Sequence, residues 1–150
     1  MTLATVETSL LTILREVTDY NANNTSIGDE RVLARGGQAA VIRYGGVRPL
    51  PDSSLNRWAF IWTLLIDMWF PNRGEISFYN TDISTKVQDV MTRVLGYPKL
   101  NGNTGVTHVT LLDASDPARW QGDRGSSNYW VVTLVFAVTE KQVIPLLESG

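Results

Sequence analysis

The first twenty residues carry one apolar stripe. Leu3, Val6, Leu10, Ile13, Leu14 and Val17 recur at three- and four-residue spacing, which predicts a helix over 2–20 with Thr2 as its N-cap. The run NANNTS after Tyr20 ends it, because short polar side chains compete for backbone hydrogen bonds. Residues 21–37 then read as a long connection rich in Asn and Gly, in which DERVLAR (29–35) has the composition of a short helical turn. Such a long connection inside a compact domain is uncommon and often functional.

The period changes after residue 37. QAAVIRY (38–44) predicts a strand closed by Gly45-Gly46, followed by the proline-bearing loop VRPLPDSS. The clearest strand is 57–70. Its even positions, Trp58, Phe60, Trp62, Leu64, Ile66, Met68 and Phe70, are all apolar, while its odd positions mix Arg57, Ala59, Ile61, Thr63, Leu65, Asp67 and Trp69. Pro71-Asn72-Arg73-Gly74 is turn chemistry. Helical spacing returns at 76–95 through Ile83, Val87, Val90, Met91 and Val94. Ser77, Asn80 or Thr81 is available as the cap, Gly96 stands where a left-handed C-cap would stand, and Pro98 lies beyond it. Strands are predicted at 106–112 and 128–139. They are separated by the polar loop 113–127 around Trp120, and a tail follows at 141–150.

The predicted order is α-β-β-α-β-β in a single domain over residues 1–150. The fold class is α+β, a mainly antiparallel four-stranded sheet with two helices packed on one face. The even sides of 58–70 and 130–138 suit the helices. The odd sides still carry Ala59, Ile61, Leu65, Trp69, Val131 and Val135, whereas the free face of a half-solvated sheet should be polar. Surplus apolar surface of this kind marks a partner site, and self-association is the favoured reading. The 57–70 strand also spans about 40–45 Å, longer than the roughly 38 Å diameter of a globule of this size. It therefore suggests a hairpin that protrudes onto a neighbour, unless bulges divide it.

Charge and composition narrow the chemistry. Thirteen Lys and Arg against 15 Asp and Glu leave a net charge of −2, which argues against a strongly basic nucleic-acid binder. The absence of Cys excludes disulfides and thiolate sites, and a single His excludes multi-His metal centres. The start lacks a signal-peptide pattern, and the apolar run 58–70 carries Asp67 and is too short to span a bilayer as a helix. His108, Asp67 and Glu75 are the candidates for a small hydrolase-like site. No G-x-S-x-G elbow accompanies them, and the simpler readings are a structural histidine and an Asp67 paired with an Arg across the sheet or at an interface. Asp113 and Asp116 read as turn formers around Pro117, without calcium-loop spacing. The glycine pairs at 36–37 and 45–46 lack phosphate-loop context, so no cofactor is implied. Arg119 and Arg124 beside Trp120 suit a protein interface. Stacking of Trp120 on single-stranded nucleic acid is the competing reading, weakened by Asp113, Asp116 and Asp123.

The layout resembles the tail terminator (tail completion) proteins of long-tailed bacteriophages. The resemblance is carried by the N-terminal helix and polar linker, WAFIWTLLIDMWFP ending in NRGE, DISTKVQDVMTRVLGYP, LNGNTGVTHVTLL, and the Trp120 loop before YWVVTLVFAVTE. Head-closure and connector proteins of the phage neck are similar in size and style. The resemblance implies a structural virion protein assembled in the host cytoplasm, with an α/β subunit in a hexameric ring at the tail–neck junction. Such a ring caps the tail tube, stops its elongation, meets the head-side connector or stopper, and lets DNA pass without specific binding. No membrane, cofactor or catalytic group is implied. The residues expected at subunit or partner contacts are Trp69, Phe70, Arg73, Arg119, Trp120 and Arg124.

Overall fold

The computed structural model describes residues 3–28, 37–51, 55–71, 78–100, 102, 105–121 and 128–147. Its elements, in chain order, are α1 (Leu3–Leu14), β1 (Thr25–Ile27), β2 (Ala39–Pro51), β3 (Arg57–Pro71), a π-helical turn (Phe78–Ile83) running into α2 (Ser84–Leu95), β4 (Val106–Ala114), β5 (Ala118–Gln121) and β6 (Asn128–Val143). The α+β class and the mainly antiparallel sheet agree with the sequence reading. The strand count does not, because the described residues form six strands where four were expected.

The strand order is β1-β2-β3-β6-β4, with β5 also on β6. Among the described residues, β1 and β2 pair in parallel and the other pairs are antiparallel. β3 and β6 pair without interruption from Arg57–Val143 to Pro71–Tyr129 and form the spine. β4 and β5 share the other edge of β6 one after the other, so residues 115–117 interrupt a single edge.

The core lies on one face. Val6, Leu10, Ile13 and Leu14 of α1 and Val90 and Val94 of α2 meet Leu64, Ile66, Met68 and Phe70 of β3 and Val132, Leu134, Phe136 and Val138 of β6. This is the predicted use of the even positions, and it places both helices on the same side. The α-helical backbone of α1 stops at Leu14, short of residue 20. The chain continues in tight turns that keep Val17 and Tyr20 in the core, and Asp19 takes a left-handed backbone (φ 78°). The Asn-rich run therefore does not end the helix; it shapes the turn that follows, where Asn24 Nδ2 donates to the Asp19 carbonyl at 2.7 Å and the Asn23 N–H donates to Asn21 Oδ1 at 2.8 Å. Lys86 ties α2 to the turns that follow α1. Its Nζ donates to the Thr18 carbonyl at 2.7 Å and lies 3.1 Å from Asp19 Oδ2.

Several boundaries are corrected. Gly45-Gly46 do not close β2; they form a bulge, and the strand runs on to Pro51. Gly46 has φ +117°, which calls for glycine, and at Gly45 a Cβ would crowd the Leu65 side chain and lie 3.3 Å from the Thr63 carbonyl oxygen, so the pair serves the bulge rather than a turn. Pro49 and Pro51 fit because β1 covers β2 only as far as Ile42, leaving an edge beyond it. Gly96 is right-handed (φ −71°), and Ile83 precedes α2 with no side-chain cap, since helical backbone already runs through the preceding turn. Residues 25–27 and 118–121, read as loop, are short strands, and β6 takes in the first part of the predicted tail. Thr2, Ser77 and the 29–35 segment lie outside the described residues. Among the described residues no helix is long and apolar enough to cross a membrane.

Candidate functional site

The sheet is much longer than the layer that covers it. At about 3.3 Å per residue the 15 residues of β3 span about 50 Å. Each 12-residue helix spans about 18 Å. The consequence is visible along β3. Leu64, Ile66, Met68 and Phe70 are buried, whereas Trp58, Phe60 and Trp62, on the same face of the same strand, are half-buried. β2 beyond its bulge, the first half of β3 and the last third of β6 thus form a three-stranded arm along which burial of the β3 side chains falls off, although Val138 and Glu140, opposite Trp62 and Phe60, are still fully buried. The long strand expected from the sequence is present, and β3 itself is not divided by a bulge.

The arm presents an aromatic strip on its helix-side face. Phe60 and Trp62 stack with centroids 6.1 Å apart, and Tyr44, 46% exposed, tilts against Trp62 at 6.3 Å. Glu140 lies opposite Phe60 in the ladder and is fully buried. Its Oε1 accepts from Gln142 Nε2, while Oε2 and the Trp62 indole N–H have no hydrogen-bond partner. The burial of Glu140 was not foreseen, because the strand was expected to end at 139. The arm's tip is apolar as well: Leu55 is 82% exposed and Leu147 98%, with Val143 and Leu146 also exposed. The chain after β6 is held there by the Ile144 N–H, which donates to the Asn56 carbonyl at 2.7 Å.

The opposite face of the sheet divides in the same way. Near its helix-covered end, Trp69 packs edge-to-face on Tyr129 at 5.8 Å beside Ala39 and Val131. Asp67 is buried there and well satisfied. It accepts from Arg43 Nε, from Arg43 Nη2 at 3.0 Å and from Thr133 Oγ1 at 2.7 Å. The pairing with an Arg across the sheet is therefore found, and such a carboxylate is committed to the fold. Further along, Ala59, Ile61, Leu65 and Val135 remain half-buried, the surplus apolar surface that the odd positions predicted.

The hydrolase-like candidates are not brought together. His108 is exposed, with Thr107 Oγ1 3.1 Å from its Nδ1 and Thr139 Oγ1 3.4 Å from its Nε2. It lies opposite Thr139 and Asp67 opposite Thr133, six residues apart along β6 and so about 20 Å. Glu75 lies outside the described residues. Among the described residues no cluster of three or more His, Asp or Glu suits a metal. A polar cleft of about 670 Å³ between the end of α1 and α2 is lined by Thr18, Asp89, Thr92, Arg93 and Tyr97. Beside it the Tyr97 hydroxyl donates to Glu16 Oε1 at 2.7 Å, and Arg93 lies 3.8 Å from the same oxygen.

The residues expected at contacts fare unequally. Phe70 is 1% exposed in the main core, which takes it out of a contact surface, and Trp69 is 7% exposed in the second cluster. Arg119 and Trp120 lie in β5 opposite Trp130 and Tyr129. Arg73 and Arg124 lie outside the described residues. Of the arm residues not singled out from the sequence as contacts, Tyr44 is exposed and Trp58, Phe60 and Trp62 are half-buried. Comparison with known proteins finds no family model that matches the chain and no matching curated protein.

Proposed function

We propose that this protein is a structural virion component of a long-tailed bacteriophage, a ring-forming tail terminator at the tail–neck junction. The observation that carries the reading is the three-stranded arm, on which Tyr44, Leu55 and Val143 stay exposed and Trp58 and Phe60 stay half-buried. In a closed ring of heterologous contacts, a neighbouring copy covers such an arm. The layout shared with tail terminators supplies the particular role. The mechanism is steric: the ring occupies the end of the tail tube, removes the surface on which the next tube ring would add, and offers its other side to the head-side connector or stopper protein. Near-neutral charge suits a channel through which DNA slides without being held. The role needs no cofactor and no membrane, and it places the protein in the virion after assembly in the host cytoplasm.

Electron microscopy of particles made without this protein tests the reading. Overlong tubes lacking heads are the expected result. Tails of normal length on heads that leak DNA would assign a head-closure role instead, and particles of normal appearance would overturn both.

A further inference from the structure

We infer that the segment after β6, Ile144–Leu147, docks on the arm of a second copy, along the strip formed by Tyr44, Val47, Phe60 and Trp62. The inference deepens the ring reading by naming a contact between its subunits, and rests on that reading's claim that copies meet at the arm. The β3–β6 pairing ends with one further bond past Arg57–Val143, where the Ile144 N–H donates to the Asn56 carbonyl at 2.7 Å. Beyond it, Pro145 has no N–H to offer, and residues 144–147 take no regular structure. Four of the five residues 143–147 are large and apolar, and Val143, Ile144, Leu146 and Leu147 are all exposed. Leu146 and Leu147 are neighbours, so in an extended chain they point to opposite sides. Their own sheet therefore could not cover both.

The receiving strip has matching dimensions. Val47 lies opposite Trp62 and Tyr44 opposite Leu64, so both share the helix-side face with Phe60 and Trp62. Tyr44 and Val47 are exposed, and Phe60 and Trp62 are half-buried. From the level of Phe60 to that of Leu64 the strip runs about 13 Å, the length of four extended residues. The segment, Leu55 and the strip together leave about 800 Å² of mainly apolar surface on each copy. The largest apolar patch of an ordinary monomer is about 300–600 Å², whereas one partner in a stable complex contributes about 800 Å². What one copy leaves bare on its overhanging segment answers what the next leaves bare on its strip, so contact between identical chains covers both.

The chain has no cysteine, so single cysteines report the contact directly. Leu147→Cys is mixed in equal amounts with Val47→Cys and, separately, with Leu112→Cys on the exposed part of β4, under mild oxidation of the full chain at micromolar concentration. Sedimentation velocity of the wild type and of Leu146→Asp/Leu147→Asp, and thermal melting of every variant, accompany it. Disulfide formation between copies about tenfold faster with Val47→Cys than with Leu112→Cys is expected, because docking raises the local concentration of the two thiols. The double aspartate variant should associate about tenfold more weakly at an unchanged melting temperature, since its altered side chains are exposed in the single copy and carry charge into the contact. Equal cross-linking at both sites, or association indifferent to the aspartates, overturns the docked segment and leaves the ring reading standing. Selective cross-linking in a wild type that stops at a pair supports the docked segment and overturns the ring. A wild type that is monomeric at every concentration overturns both.

Discussion

The two halves of β3 differ in what lies above them, although their sequence pattern is the same. From Leu64 to Phe70 the even residues meet α1 and α2 and are buried. From Trp58 to Trp62 the alternation continues with larger side chains, yet they remain half-buried because helices of about 18 Å end before a strand of about 50 Å does. Apolar alternation thus specifies which face turns inward, while the length of the opposing layer decides how far burial extends. The second half is where an oligomer contact would add the most.

Substitutions on either side of this boundary should separate stability from association. Phe136→Ala, in the covered half, should cost about 4 kcal/mol in urea unfolding, through lost burial and a residual cavity. Phe60→Ala in the arm should cost about 1 kcal/mol or less in the monomer while weakening self-association. Equal losses of stability would remove the distinction. Asp67→Ala should cost about 2 kcal/mol, since it strands the Arg43 guanidinium and the Thr133 hydroxyl but leaves an arginine that is partly solvated. Glu140→Met should instead stabilise the fold by about 1 kcal/mol, because it removes a buried carboxylate oxygen that has no partner.

Tyr20 sharpens the comparison from the covered side. Burial, then the neighbouring Asp19 carboxylate, pushes its hydroxyl well above the ordinary value near 10. The folded state therefore holds this proton more tightly than the unfolded chain. The associated stability is full below pH about 10 and declines as the pH rises further. Tyr20→Phe should flatten this alkaline loss in melts followed by circular dichroism. His108→Ala, on the exposed edge, should change stability by less than about 0.5 kcal/mol.

Strong periods were readable directly. The alternation at 57–70 and 128–139 and the stripes of both helices define the spine and the core. Three features escaped because their signals are short or ambiguous. β1 has three residues, too few for a period, and exists because β2 offers it an edge. β5 lies in a segment rich in Asp, Pro and Gly and depends on the length of β6. The Gly45-Gly46 pair looks like a turn in sequence, but becomes a bulge because β3 continues beside it. The candidate surface was only half legible. Surplus apolar residues could be counted on the odd positions of 57–70, but the reach of α1 and α2 could not. Attention therefore fell on Trp69 and Phe70, which the chain packs itself, rather than on Phe60 and Trp62.

Sedimentation velocity of the purified chain across the micromolar range, comparing the wild type with Phe60→Ala, bears most directly on whether the arm is built for another copy. A concentration-dependent shift to a single closed oligomer, lost or weakened in the variant, is the predicted result. A wild type that sediments as a monomer throughout, or assembles just as well without the Phe60 ring, would contradict it.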